Sequence, residues 1–252
     1  MKQGNSEKRS VIQKTADVLG SFRAGSAELT LAELTRRSNL PHATARRISR
    51  ELVAAGFLEQ TDDGAFVVGL KMWETGSLAP RSLPLRQAAM PFMSVLNESL
   101  RQHVQLAVRE AEEAVVIERL SAKDAVDVIS HVAGRLPLHA SGVGKVLLAF
   151  APEALIASLL QGTLPAETSR TIMDPRILAQ ELGQVRAHGF AMVRGETSIG
   201  ADSVAARITA PDGTVVAALS VVVPSGTVSL PSLAPAVVSA AKGISESLRQ
   251  RS

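Results

Sequence analysis

The chain has 252 residues, 46% hydrophobic and 20% charged, which is material for one large domain or two smaller ones. It has no cysteine, which excludes disulfides, zinc–thiolate sites and thiol catalysis. No apolar run approaches the roughly 18–20 residues that a membrane span requires, and the first ten residues are too polar for a signal peptide, so the composition predicts a cytoplasmic protein. The net charge of +3 is unevenly placed. Residues 1–71 hold eleven Lys or Arg against eight Asp or Glu, and the rest of the chain is balanced at 16 of each. A basic module joined to a neutral one points to nucleic acid as a partner of the first.

Val11, Thr15, Val18, Leu19 and Phe22 recur at helical spacing, which predicts a first helix ending near residues 23–25. Thr30 and Glu33 have the spacing of a capping box, so a second, short helix starts at Leu31 and stops near Ser38. The turn Asn39-Leu40-Pro41 follows, with Pro41 suited to the first position of a third helix over residues 41–55. Ala45, Ile48, Leu52 and Ala55 form its apolar stripe. His42, Arg46 and Arg50 share the opposite face, flanked by Thr44 and Arg47. Gly56 suits a left-handed helix end. Residues 57–61 and 65–69 flank Asp62-Asp63-Gly64, a hairpin signal. Three helices and a hairpin in this order make a winged helix-turn-helix whose third helix is basic.

The segment Leu31-Ala-Glu-Leu-Thr-Arg-Arg-Ser-Asn-Leu-Pro-His-Ala-Thr-Ala-Arg-Arg-Ile48, followed by Leu52-Val-Ala-Ala-Gly-Phe-Leu-Glu59, resembles the DNA-binding half of the isocitrate lyase regulator (IclR) family. His42 and Ala43 replace the Lys-Ser that often follows Leu-Pro there, which changes a DNA contact and hence the preferred sequence. Thr44, Arg46 and Arg47 are placed to reach base edges, because an arginine fork matches two guanine acceptors. Thr30, Arg50 and the wing at Gly64 suit phosphates, which fix register. Lys8, Arg9 and Lys14 add salt-sensitive affinity. The partner expected is a double-stranded DNA operator.

Residues 70–76 read as a short helix carrying Trp73, the only tryptophan, in a packing or dimer-contact role. Residues 77–84, with Pro80 and Pro84, read as a break, dividing the chain into 1–77 and 78–252. Beyond it, residues 85–100 are an amphipathic helix. Residues 104–108, 114–120 and 125–131 read as strands, and 141–150, 152–160 and 175–188 as helices. Residues 189–193, 203–209 and 215–223 read as strands, and 233–248 as a last helix. The fold class predicted is α+β.

Enzyme readings fail on spacing. Gly142-Val-Gly-Lys145 lacks the Gly and Ser/Thr of a phosphate loop, since His139 and Val146 stand at those positions. The five histidines show no metal-ligand spacing, and Ser141 and Ser203 lack a nucleophile elbow, so no metal, cofactor or catalysis is expected. His139 reads as a structural hydrogen-bonding residue. A helix opening at Ser141 presents the N–H groups of Gly142 and Val143, which suits a carboxylate.

The resemblance to the IclR family continues through Gly134-Arg-Leu-Pro-Leu-His-Ala-Ser-Gly-Val-Gly-Lys-Val-Leu-Leu-Ala149, Thr171-Ile-Met-Asp-Pro175, Val185-Arg-Ala-His-Gly-Phe190 and Asp212-Gly-Thr-Val-Val-Ala-Ala-Leu-Ser220. It implies a GAF-like α/β domain for effector binding and assembly, as a homodimer or homotetramer. It also implies an effector site at Ala125, Val128, Gly142, Val143, Val193, Ser203, Ser220 and Val222. Val193 stands where the family is often acidic, Ser203 where cysteine is common, and Val222 where serine is frequent. The pocket is then either more apolar, suited to an aromatic or aliphatic acid, or these valines are simply core. The function implied is a transcription regulator controlled by a small-molecule effector. The alternative is a constitutive DNA-binding protein whose second domain is an assembly scaffold.

Overall fold

The computed structural model describes residues 9–23, 26–79, 83–123, 125–126 and 128–250. Lys8, Gly25 and Pro80 lie outside them. The chain separates into two compact units, residues 1–79 and 80–252.

The first unit begins with α1 (Val11–Leu19), β1 (Glu28–Leu29), α2 (Leu31–Ser38) and α3 (His42–Ala54). It continues with β2 (Leu58–Gln60), β3 (Phe66–Val68) and α4 (Leu70–Ser77). Both capping boxes close: Ser10 with Gln13 at α1, and Thr30 with Glu33 at α2. The Thr30 N–H and hydroxyl both reach the Glu33 carboxylate and hold its pKa below the ordinary value. Asn39 takes the left-handed conformation that ends α2 (φ 51°), and Gly56 does the same after α3 (φ 78°). Val18, Leu29, Leu34, Ala45, Ile48, Leu52, Leu58 and Phe66 make one core. The sheet order is β1-β3-β2, antiparallel throughout.

Three expectations need correction here, and one strand was not expected. The first helix ends at Leu19, because Gly20 caps it by returning its N–H to Ala16 and Val18. Pro41 is the N-cap of α3, in an extended conformation, and His42 is the first helical residue. Ala55 is exposed, so the buried stripe ends at Leu52. The two-residue strand β1 was absent from the pattern, being too short for any periodicity to show.

The second unit runs α5 (Leu83–Leu100), β4 (His103–Glu110), β5 (Glu113–Leu120), β6 (Arg135–Pro137), α6 (Gly142–Ala149) and α7 (Glu153–Gln161). Then follow α8 (Pro175–His188), β7 (Phe190–Arg194), β8 (Ala201–Thr209), β9 (Val215–Pro224) and α9 (Leu230–Gln250). One six-stranded antiparallel sheet, ordered β6-β5-β4-β9-β8-β7, divides the unit. Side chains alternate between its faces. Leu106, Val204, Leu219 and Val221 pack on one face with α5 and α9. Ala107, Ala205 and Ala218 pack on the other with α6 and α8. Gly243 makes the α5–α9 contact possible, since a β-carbon there would lie 2.2 Å from the Phe92 ring.

The expected strand over residues 125–131 does not form. The described part of that segment is irregular, and its carbonyls are taken by side chains: Val126 by His103, and Ser130 by Arg119. The edge position belongs instead to β6, which pairs with β5 through Leu136 opposite Ala114. The last helix starts at Leu230, three residues before the expected start.

Candidate functional site

The helix α3 presents His42, Ala43, Arg46, Arg47 and Arg50 to solvent, with Thr44 half-buried, while Ala45 and Ile48 pin its other face to the core. These candidate DNA-contacting side chains share one surface. They are not equally free. Arg47 is paired with Glu51 one turn on, at 2.7 Å. Arg46 and Arg50 have no ion pair among the described residues. His42 Nδ1 lies 3.4 Å from Thr35 Oγ1. Thr30 spends its hydroxyl on the α2 cap. Gly64 turns the β2–β3 hairpin at φ 87°, braced by the Gln60 amide on its carbonyl. Arg9 bonds Asp17 Oδ2 at 2.9 Å and the Asn39 carbonyl at 2.7 Å, which ties α1 to the turn after α2.

In the second unit a cavity with about 440 Å³ of empty space, part of it continuous with solvent, opens at one end of the sheet beside the N-terminus of α6. Two adjacent cross-strand rows contribute to it, through Val222, Ser203 and Val193 of the first and Gln105 and Ser220 of the second. In the first, His103, Val222, Ser203 and Val193 stand side by side across β4, β9, β8 and β7. In the second, Arg119, Gln105, Ser220 and Ala205 stand across β5, β4, β9 and β8. Val128, Ile129 and Ser130 line it from the irregular segment, and Thr197 and Ser198 from the loop after β7.

Seven of the eight candidate effector positions line this one cavity: Val128, Gly142, Val143, Val193, Ser203, Ser220 and Val222. Ala125 does not; it sits half-buried at the start of the same irregular segment. Gly142 permits the helix to approach the sheet, since a β-carbon there would lie 2.7 Å from Ser203 Oγ and 3.4 Å from Ala205 Cβ. The Ser141 hydroxyl caps α6 by accepting from Gly144 N at 3.0 Å. The N–H groups of Gly142 and Val143 have no acceptor within the helix and lie at its positive end.

Three structural groups escaped the sequence reading. Gln105 is buried, lines the cavity and donates from Nε2 to Ser130 Oγ at 2.5 Å. Arg119 donates to the Ser130 carbonyl, and its Nη2 lies 3.1 Å from His103 Nδ1; burial lowers its pKa. Lys145 is fully buried and places Nζ 2.6 Å from both Glu196 Oε1 and Glu181 Oε2. Burial, opposed by Lys145, raises the Glu196 carboxyl above its ordinary pKa. Thr197 Oγ1 donates to the Ala140 carbonyl at 2.9 Å, so the loop bearing Glu196 and Thr197 is fastened to α6 through Lys145 and to the segment just before it through Ala140. His139 bonds the Pro165 carbonyl at 2.8 Å, in the structural role expected of it.

A helix-turn-helix unit with a hairpin wing, followed by a separate α/β unit, places the protein among two-part transcription regulators. The family "IclR helix-turn-helix domain" matches residues 11–62, and "Bacterial transcriptional regulator IclR C-terminal" matches residues 78–246. The chain belongs to the IclR family of transcriptional regulators. The HTH-type transcriptional repressor AllR of Escherichia coli is 31% identical over 216 residues, 85% of this chain and 80% of that one. The Pca regulon regulatory protein of Pseudomonas putida is 31% identical over 207 residues, 81% of this chain and 70% of that one. Among solved structures, an IclR homologue from Microbacterium hydrocarbonoxydans complexed with 4-hydroxybenzoate matches with a TM-score of 0.90 at 35% identity, covering 96% of this chain and all of that one. These relatives are regulators of transcription and not enzymes. No helix among the described residues is long and apolar enough to cross a membrane.

Proposed function

We propose that the protein is a sequence-specific DNA-binding regulator of the IclR type, controlled by an organic acid bound in the second unit. The helix α3 enters the major groove, with Thr44, Arg46 and Arg47 at base edges and Thr30, Arg50 and the wing around Gly64 at phosphates. His42 and Ala43 stand at the start of the same helix and complete the reading surface. The regulator works in the cytoplasm as a homodimer or homotetramer, because a symmetric assembly matches a near-palindromic operator.

The observation that carries the effector reading is the cavity at the N-terminus of α6. Two N–H groups without helical acceptors and the positive end of the helix dipole suit a carboxylate. Val128, Val143, Val193, Val222 and Leu136 supply apolar walls. Such walls favour an acid with a hydrophobic body over a two- or three-carbon acid. The ligand of the Microbacterium hydrocarbonoxydans homologue, 4-hydroxybenzoate, is of that class.

The test is a thermal-shift screen of carboxylic acids on the full chain, with each hit carried into an operator-affinity measurement. Aromatic or long aliphatic acids are expected to raise the melting temperature and change operator affinity. Tight binding of glyoxylate or pyruvate with no response to hydrophobic acids contradicts the effector class. An acid that binds and leaves operator affinity unchanged reduces the second unit to an assembly scaffold.

A further inference from the structure

His42 is the first helical residue of α3, it is exposed, and α2 reaches it through Thr35. Its Nδ1 lies 3.4 Å from Thr35 Oγ1, at the long end of the hydrogen-bond range. A hydroxyl has one proton to give and two lone pairs to receive with. Thr35 gives its proton to the Leu31 carbonyl at 2.7 Å. In the contact with His42, therefore, Nδ1–H donates and the hydroxyl accepts. In a neutral imidazole the other nitrogen then carries no proton, so Nε2 is left as an acceptor. No bond to Nε2 occurs among the described residues. Arg46 and Arg50, one and two turns further along the same face, are donors only. Ala43, the exposed residue beside His42, adds no polar group to compete.

We propose that His42 acts as an acceptor in the major groove and selects a base whose amino group, cytosine N4 or adenine N6, is turned toward the start of α3. The proposal rests on the DNA-binding reading above and names the base chemistry that one residue of that surface reads. The first residues of a recognition helix are the ones that reach base edges. In the major groove those two amino groups are the hydrogen-bond donors, while guanine N7 and O6, adenine N7 and thymine O4 are acceptors. Nε2 set against guanine or thymine brings lone pairs together with no proton between them. The wrong base is then penalised as well as unrewarded, and specificity gains from both. His42 is the residue that meets the base. Thr35 is a positioning residue, because its hydroxyl holds the ring and keeps the proton on Nδ1.

The experiment has two arms, both on the full-length protein. Nitrogen-15 spectra, with the His42 signals assigned by their loss in His42→Ala, are recorded at about pH 8, above the ordinary histidine pKa of about 6.5. They should show the proton on Nδ1, and in Thr35→Val it should move toward Nε2. A wild-type proton on Nε2 overturns the proposal. In the second arm, selection from randomised duplexes finds the position whose base preference disappears in His42→Ala. The preferred duplex is remade with N4-methylcytosine or N6-methyladenine there, which blocks the amino group and tells the two bases apart. The wild type should lose about fivefold or more in affinity, and His42→Ala less than about twofold. Equal wild-type affinity for the methylated and plain duplexes overturns the proposal and leaves the DNA-binding reading standing. A loss on 7-deazaguanine instead also overturns it, since His42 is then a donor to guanine. So does a selection in which His42→Ala alters no position. Failure of the wild type to select any sequence brings down the DNA-binding reading itself. His42→Phe, which keeps a ring and loses both nitrogens, replaces His42→Ala in both arms if thermal melts show that variant unfolded.

Discussion

Gly142 and Ser203 meet so closely that a single added carbon would put their side chains 2.7 Å apart. This contact is what brings the start of α6 down onto the sheet and closes one end of the cavity. It also separates two glycines that look alike in the sequence. At Gly142 the obstacle is a serine hydroxyl that can rotate. At Gly144 it is backbone: the Pro137 carbonyl at 2.4 Å and the Leu138 Cα at 2.7 Å.

Gly142→Ala should therefore fold and lose acid binding by about tenfold or more, or about 1.4 kcal/mol. Gly144→Ala should lose about 1–3 kcal/mol of stability through overpacking. Calorimetric titration and urea unfolding of the two variants check this. Equal stability losses in both would show that α6 does not approach the sheet as described.

The buried Lys145 should prove structural. Lys145→Met strands the Glu196 carboxylate, and breaking such a pair costs about 3–5 kcal/mol. Glu181 is more exposed and is not stranded in the same way. The urea midpoint measures the loss, and a loss below about 1 kcal/mol contradicts the pairing.

The raised pKa of Glu196 fixes the sign of a pH effect. The folded state holds the Glu196 proton more tightly than the unfolded chain does. The stability this group contributes is therefore complete below the ordinary carboxylate pKa and is lost as pH rises through the raised value. Glu196→Gln cannot ionise. The stability of the wild type relative to Glu196→Gln should fall as pH rises above the ordinary carboxylate range. A rise there contradicts the assignment.

On the DNA side, Arg46, which has no ion pair among the described residues, should matter more than Arg47, which must first leave Glu51. Arg46→Ala should cost about 1–3 kcal/mol and relax preference at one base pair. Arg50→Ala should weaken binding to all sequences alike and reduce the salt slope by about 1. Glu51→Ala, which frees Arg47, should tighten binding. Fluorescence anisotropy at several salt concentrations distinguishes these outcomes. An Arg50 variant with altered base preference would move that residue from phosphate to base contact.

The winged helix was legible in the sequence because its signals are local. Thr30 and Glu33, Asn39 to Pro41, Gly56 and Asp62 to Gly64 each act within a few residues of themselves. The cavity was legible at Val128, Gly142, Val143, Val193, Ser203, Ser220 and Val222 through family resemblance, and the strand register brings four of them onto adjacent rows. Residues 125–131 misled because Val126 and Val128 alternate with Asp127 as in a strand, while the backbone is claimed by His103 and Arg119 from elsewhere in the chain. Gln105 was hidden for the same reason: nothing near it in sequence shows that Ser220 and Ser130 will be its neighbours. Lys145 did carry a signal, a lone charge in the otherwise apolar run of α6, but its partners lie 36 and 51 residues away.

The central claim is that an acid in the second unit controls DNA binding by the first. The most direct test is the affinity of the full-length protein for DNA upstream of its own coding region, measured with and without saturating 4-hydroxybenzoate. The account predicts salt-dependent binding whose affinity changes by roughly 5- to 150-fold, a coupling of about 1–3 kcal/mol. Identical affinities with the acid demonstrably bound would contradict it.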